Sequence, residues 1–229
     1  MQIRILHFAD GARQAEGLTV VIDVFRAFSL ACYLFQNGAK KIIPVGDMEE
    51  AYRLKSQHPE YILIGERNER KPEGFDYGNS PTQIEHISFA GKTLLHTTSA
   101  GTQGIVNARH AEEILTGSFV NASAIVRYIK THEPKVISLV CMGYSAREPA
   151  DEDTFCAEYI RNELEGKPTD FERMVKLLRE GSGKRLLDPT NQLHSPARDF
   201  ALCLSLNRFD FVLRVNKNPT PAELEKICI

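Results

Sequence analysis

Short β-branched runs alternate with helical apolar patterns through most of this chain. The strongest run, Leu18-Thr19-Val20-Val21-Ile22-Asp23-Val24, is continuous, as in a strand buried on both faces. Residues 28–36 read as an apolar helix closed by Asn37-Gly38, a good helix stop. Lys41-Ile42-Ile43-Pro44-Val45 follows as a strand, and Asp47 is placed to cap a helix over residues 48–57. Residues 61–64 are a third strand, ending in Gly65-Glu66-Arg67. This rhythm predicts a three-layer α/β/α fold, with a mainly parallel sheet and helices on both faces.

The rhythm breaks over residues 68–81, which are polar and rich in glycine and proline. A long loop of that kind inside a compact domain is more often functional than idle. Residues 93–95 then form a short strand. It runs into Thr97-Thr98-Ser99-Ala100-Gly101-Thr102 and a helix over residues 103–109. A strand-to-helix turn of small hydroxyl residues leaves amides and a positive dipole end for a phosphate or sulfonate; ordinary capping is the alternative. Further on, strands are expected at residues 113–115 and 136–141, and helices at 122–130, 150–165, 171–179 and 195–206. Residues 211–215 read as an edge strand. With no repeat and no linker, residues 1–229 are expected to form one domain with a helical C-terminal elaboration.

Composition narrows the function. Apolar residues make up 42% and charged residues 25%, and the net charge of −2 argues against broad nucleic-acid or membrane-surface binding. No run approaches the ~20 apolar residues of a spanning helix. Five cysteines without C-x-x-C spacing fit a reducing cytoplasm, and the seven histidines form no standard zinc pair.

Several strands end in polar residues: Asp23 with Arg26, Glu66 with Arg67, residues 97–102, and Cys141-Met142-Gly143. In an open parallel sheet such ends share the ligand-binding edge. Asp23 suits attack on phosphorus or Mg²⁺ binding, with a salt bridge to Arg26 as the plain alternative. Haloacid-dehalogenase chemistry is excluded because Phe25 stands where the second Asp belongs. Arg26 and Arg67 match phosphate or sulfonate oxygens bidentately, or simply pair with a neighbouring carboxylate. Cys141 and Arg147 make a C-x₅-R spacing, but Met142, Tyr144 and Pro149 suit a phosphate cradle poorly. Gly181-Ser182-Gly183-Lys184 lacks the P-loop context.

Several blocks carry a family resemblance: Val21-Ile22-Asp23-Val24-Phe25-Arg26-Ala27, Gly65-Glu66-Arg67, Gly74-Phe75-Asp76-Tyr77-Gly78-Asn79-Ser80-Pro81, Thr97-Thr98-Ser99-Ala100-Gly101-Thr102 and Glu152-Asp153. Together, in this order, they resemble the 2-phosphosulfolactate phosphatase family, with departures at Ser99, Ala100 and Met142. The resemblance implies a cytoplasmic, Mg²⁺-dependent phosphatase that releases phosphate from 2-phospho-3-sulfolactate, on the route to coenzyme M. The candidate catalytic residues are then Asp23, Arg26, Glu66 and Asp153, and the candidate metal ligands Asp23, Glu66, Asp76, Glu152 and Asp153. The candidate anion contacts are Arg67, Asn79, Ser80, Thr97, Thr98, Ser99, Gly101, Thr102, Asn121, Cys141 and Gly143. The expected partner is a small phosphorylated anion carrying a sulfonate or carboxylate, with a homo-oligomer possible. A non-catalytic anion or nucleotide module, and a hydrolase with a Thr or Cys nucleophile, are the alternatives.

Overall fold

A computed structural model describes every residue from Met1 to Ile229. In chain order the elements are β1 (Gln2–His7), α1 (Phe8–Gln14), β2 (Gly17–Ile22), α2 (Ala27–Gln36), β3 (Lys41–Pro44), α3 (Met48–Gln57), β4 (Ile62–Gly65), α4 (Pro81–Ile84), β5 (Thr93–Thr97), α5 (Gly101–Asn107), β6 (Ala111–Gly117), α6 (Ala122–His132), β7 (Val136–Cys141), α7 (Asp151–Glu165), α8 (Phe171–Glu180), α9 (Lys184–Leu187), α10 (Arg198–Cys203), β8 (Phe211–Asn216) and β9 (Glu223–Cys228). All nine strands join one sheet in the order β1-β7-β2-β6-β8-β9-β3-β5-β4.

The period-two geometry of β2 makes the three layers. Val20 and Ile22 pack with residues of α6 and α7, whereas Val21 packs with residues of α2 on the other face. Both faces are therefore covered, and this accounts for the unbroken apolar run. The Asp47 cap is formed as expected, its carboxylate accepting the Glu50 amide at 3.0 Å.

The sheet is less uniform than the rhythm implies. β1, β7, β2 and β6 make one parallel block, and β3, β5 and β4 make another. The β8–β9 hairpin joins the blocks by antiparallel pairing on both sides, so they run in opposite senses across the ladder. The carboxyl ends of the two blocks nevertheless meet. A Cβ placed on Gly101, just beyond β5, would lie 2.8 Å from Asp23 Oδ2, just beyond β2.

Residues 211–215 are not an edge strand: β8 lies in the sheet interior, between β6 and β9. Arg214 gives this run its edge-like look, but its charge is answered within the sheet by Glu225 opposite, at 3.2 Å, and by Glu113 at 3.6 Å. The expected third C-terminal helix, residues 195–206, is shortened to α10. β1, α1 and β9 carry no sequence signal strong enough to announce them. β1 is a half-buried edge strand, and β9 buries only Leu224 fully.

Candidate active site

Where the two blocks meet, a narrow cleft of about 30 Å³ is lined by Asp23, Glu66, Glu69, Arg26, Arg185 and Asn79, with Ser99, Ala100, Gly143, Tyr144 and Ser145 on its walls. Asp23 leaves β2 directly after Ile22 and is nearly buried. Its Oδ1 accepts the Ala27 amide at 3.1 Å, whereas Oδ2 accepts no hydrogen bond from the protein. The expected alternative, a salt bridge to Arg26, does not form. Burial above all raises the Asp23 pKa to about 6; the Ala27 amide lowers it, and the Glu66 charge raises it further.

Asp153 and Glu152, buried in the first turn of α7, lie outside the cleft lining but close enough for their charges to act on Asp23. Asp153 accepts the Val24 amide on Oδ1 and the Gly143 amide on Oδ2, each at 2.8 Å, so one carboxylate ties the end of β2 to the end of β7. Burial raises its pKa well above the usual carboxylate range, and Asp23 and Glu152 push in the same direction. Glu152 gives Oε1 to Arg185 Nη2 at 3.0 Å, while its Oε2 is buried without a partner.

Arg185, on α9, was missed by sequence reasoning. It donates to Glu152, to the Phe25 carbonyl at 3.1 Å and to Glu69. Burial alone would lower its pKa, but the Glu152 and Glu69 carboxylates outweigh burial and raise it, which keeps the guanidinium charged. Its partners lie 33 and 116 residues away, and the stretch before it, Gly181-Ser182-Gly183-Lys184, reads as surface loop. No local pattern marks it.

The hydroxyl-rich turn behaves differently from expectation. Thr98 Oγ1 accepts the Thr102 amide at 3.1 Å, and Thr102 Oγ1 accepts the Thr98 amide at 3.1 Å while donating to the Thr98 carbonyl. Thr97 Oγ1 accepts from Arg67 Nη2 at 2.7 Å. The anion already seated at the turn is Glu66: Oε1 accepts the Ser99 amide at 2.6 Å, and Oε2 accepts the Ser99 hydroxyl at 3.2 Å and the Glu69 amide at 2.8 Å. Thr97, Thr98 and Thr102 therefore build the turn and position Glu66. Ser99 and the Ala100 amide, which donates to no acceptor in the protein, remain at the cleft.

Other candidates move outside direct contact. Arg26 lines the cleft, but its Nη1 is engaged by Asp199 Oδ2 at 3.1 Å and the His194 carbonyl at 2.8 Å, a pair with side chains 2% and 0% exposed. Arg67 directs both Nη atoms to Thr97 and to the carbonyls of Glu66 and Gly46. Ser80 caps α4 and donates to Asp199 at 2.8 Å. Asn121 closes the single turn ahead of α6 in a capping box with Ser118, its Oδ1 accepting the Ser118 amide and its Nδ2 donating to the Thr116 carbonyl. Asp76 lies outside the cleft lining, with a side chain 42% exposed, and accepts the Leu63 amide at 2.8 Å. Cys141 is buried with its thiol donating to the Asp153 carbonyl at 3.4 Å; burial first and Asp153 second raise its pKa strongly. A thiolate nucleophile is not available there. Asn79 does face the cleft, its Oδ1 held 3.3 Å from His96 Nε2. Burial lowers the His96 pKa to about 4, so the ring is neutral near pH 7, and the Nε2–H tautomer is the one that can donate to Asn79 Oδ1.

No group of three or more His, Cys, Asp or Glu side chains converges to metal-ligand geometry. Mg²⁺ usually needs only one or two protein carboxylates, completing its shell with water and phosphate oxygens. Asp23 Oδ2 and the orphaned Glu152 Oε2 fit that demand, whereas the oxygens of Glu66 and Asp153 already accept amides.

The chain is similar to known proteins over most of its length. The family model described as 2-phosphosulpholactate phosphatase matches residues 6–218. A Bacillus subtilis protein named "Probable 2-phosphosulfolactate phosphatase" is 30% identical over 216 residues, covering 93% of this chain and 92% of the relative. A protein of the same name from Caldanaerobacter subterraneus is 34% identical over 213 residues, covering 84% and 85%. A Thermotoga petrophila relative, also so named, is 47% identical over 128 residues, a match spanning 56% of this chain and 54% of the relative. The chain therefore belongs to the 2-phosphosulpholactate phosphatase family, a family of phosphoric monoester hydrolases.

Proposed function

We propose that this chain hydrolyses 2-phospho-3-sulfolactate to 3-sulfolactate and phosphate in a Mg²⁺-dependent reaction centred on Asp23. The observation that carries the reading is the Asp23 carboxylate, anchored through Oδ1 and open at Oδ2, in a cleft whose other acids are tied to amides or to Arg185. Asp23 Oδ2 either attacks phosphorus or holds the metal, and both roles require the ionised carboxylate. Arg185, the Ala100 amide and the Asn79 NH₂ supply donors for phosphoryl oxygens in a narrow cleft. Asp23 and Glu152 would hold Mg²⁺, which would supply positive charge to offset the nearby carboxylates and the phosphoryl group. A passive anion-binding module gains nothing from such acids.

The five free cysteines fit action in a reducing cytoplasm. The test is phosphate release from a panel of phosphorylated small acids, before and after chelation and with Mg²⁺ restored. Hydrolysis should stop on chelation and return with Mg²⁺. Full turnover by a metal-stripped sample contradicts the metal role, and no release from any phosphoester contradicts the activity.

A further inference from the structure

A second cavity, of about 520 Å³, adjoins the catalytic cleft and shares Ser99 and Ser145 with it. Its charge is of the opposite kind. The cleft sets Asp23, Glu66 and Glu69 against Arg26 and Arg185, whereas the outer cavity sets Arg67 and Arg147 against a single acid, Asp47, which caps α3. Neither arginine forms a salt bridge. Arg67 gives its Nη atoms to Thr97 and to carbonyls and stays in place as a fixed charge, whereas the exposed Arg147 guanidinium has no hydrogen-bond partner in the protein.

Arg147 is nonetheless well placed. Its loop is pinned at one end by the Gly143 amide on Asp153. Tyr144 then closes the turn, its amide donating to the Glu148 carbonyl at 2.8 Å and its own carbonyl accepting the Arg147 and Glu148 amides at 3.1 Å each. Ser145 and Ala146 both adopt left-handed backbone conformations, with φ of 52° and 56°. Two successive non-glycine residues in that region are held only where the surroundings demand it, and such strain collects at ligand sites. The turn carries Ser145 to both cavities and Arg147 to the outer one.

We infer that Arg147 is a specificity residue: it binds the second strong anion of the substrate in the outer cavity, while the phosphoryl group sits in the inner cleft. This inference rests on the phosphatase reading above. The ligand it implies is a phosphomonoester with a sulfonate a few bonds from the ester oxygen. A planar, permanently charged guanidinium suits a sulfonate, which stays ionised at all ordinary pH. The C-x₅-R spacing seen in the sequence therefore divides between two places, with Cys141 in the core and Arg147 on the outer cavity.

The experiment compares wild type, Arg147→Gln and Arg147→Lys on 2-phospho-3-sulfolactate and on 2-phospholactate, which lacks the sulfonate. Losing a hydrogen bond to a charged group should cut kcat/KM on the sulfonated substrate by about ten- to a hundredfold in Arg147→Gln, mostly through KM. The preference for it over 2-phospholactate should collapse accordingly, with partial rescue in Arg147→Lys. Equal losses on both substrates, or no loss, overturn the inference while leaving the phosphatase reading standing. Binding of 3-sulfolactate, measured by calorimetry, reads the same site without turnover. Wild type should bind about ten times more tightly than Arg147→Gln, and equal affinity, or no binding by wild type, overturns it as well.

Discussion

Glu66 Oε1 lies 2.6 Å from the Ser99 amide, so the strand-to-helix turn after β5 holds a carboxylate of the protein itself. That contact joins the ends of β4 and β5 and sets a negative charge beside Asp23, whose pKa it helps to raise. Glu66→Gln should therefore shift the acid limb of the kcat/KM profile to lower pH, because Asp23 would ionise more easily. A pH–rate profile on both proteins checks this. An unmoved limb would separate Glu66 from the titrating group.

Asp23 also makes a statement about stability. Its folded pKa, about 6, lies above its ordinary value of 3.8, so the folded state binds more protons than the unfolded state between those values. The stabilising contribution is present below about pH 4 and is lost as pH rises through about 6. Asp23→Asn keeps an acceptor for the Ala27 amide and removes the buried charge. In metal-free buffer at pH 7 it should be more stable than wild type by roughly 1–3 kcal/mol, with the gap closing below pH 4. Denaturant melts at pH 4 and pH 7 measure this, and an Asp23→Asn protein that is less stable at pH 7 contradicts it.

The Thr98–Thr102 pair and Gly101 now belong to scaffolding. Thr98→Ala removes the acceptor for the Thr102 amide and should cost about 0.5–2 kcal/mol of stability, as for a lost helix cap. A Cβ at Gly101 would lie 2.8 Å from both Ala27 Cβ and Asp23 Oδ2, so Gly101→Val should lower Tm and displace Asp23 together. Thermal melts beside steady-state kinetics distinguish the two variants. A Gly101→Val protein of wild-type stability would leave the close packing of α5 on α2 unexplained.

Much of this was legible in the sequence because it depends on local rules. β2 announced itself by burial on both faces, and Asp23 by following it. The Gly-Phe-Asp-Tyr-Gly-Asn-Ser-Pro block was informative, though its residues do different work. Phe75 packs in a core cluster, Asp76 caps the Leu63 amide, Asn79 faces the cleft and Ser80 starts α4. What stayed hidden depends on long-range pairing. Arg185 and Asp199 gain their meaning only from partners 33 to 173 residues away. The crowded hydroxyls of residues 97–102 suggested an external anion, but Thr98 and Thr102 satisfy each other and the seat is filled by Glu66.

The most direct test of the central claim is phosphate release from 2-phospho-3-sulfolactate with Mg²⁺ present, measured side by side for wild type, Asp23→Asn and Cys141→Ser. A missing nucleophile or metal ligand should cost Asp23→Asn at least ~100-fold in kcat. Cys141→Ser, which alters only a buried thiol, should keep most of the activity. If both variants remain folded and Cys141→Ser loses the activity while Asp23→Asn retains it, the account of a carboxylate-centred phosphatase is contradicted.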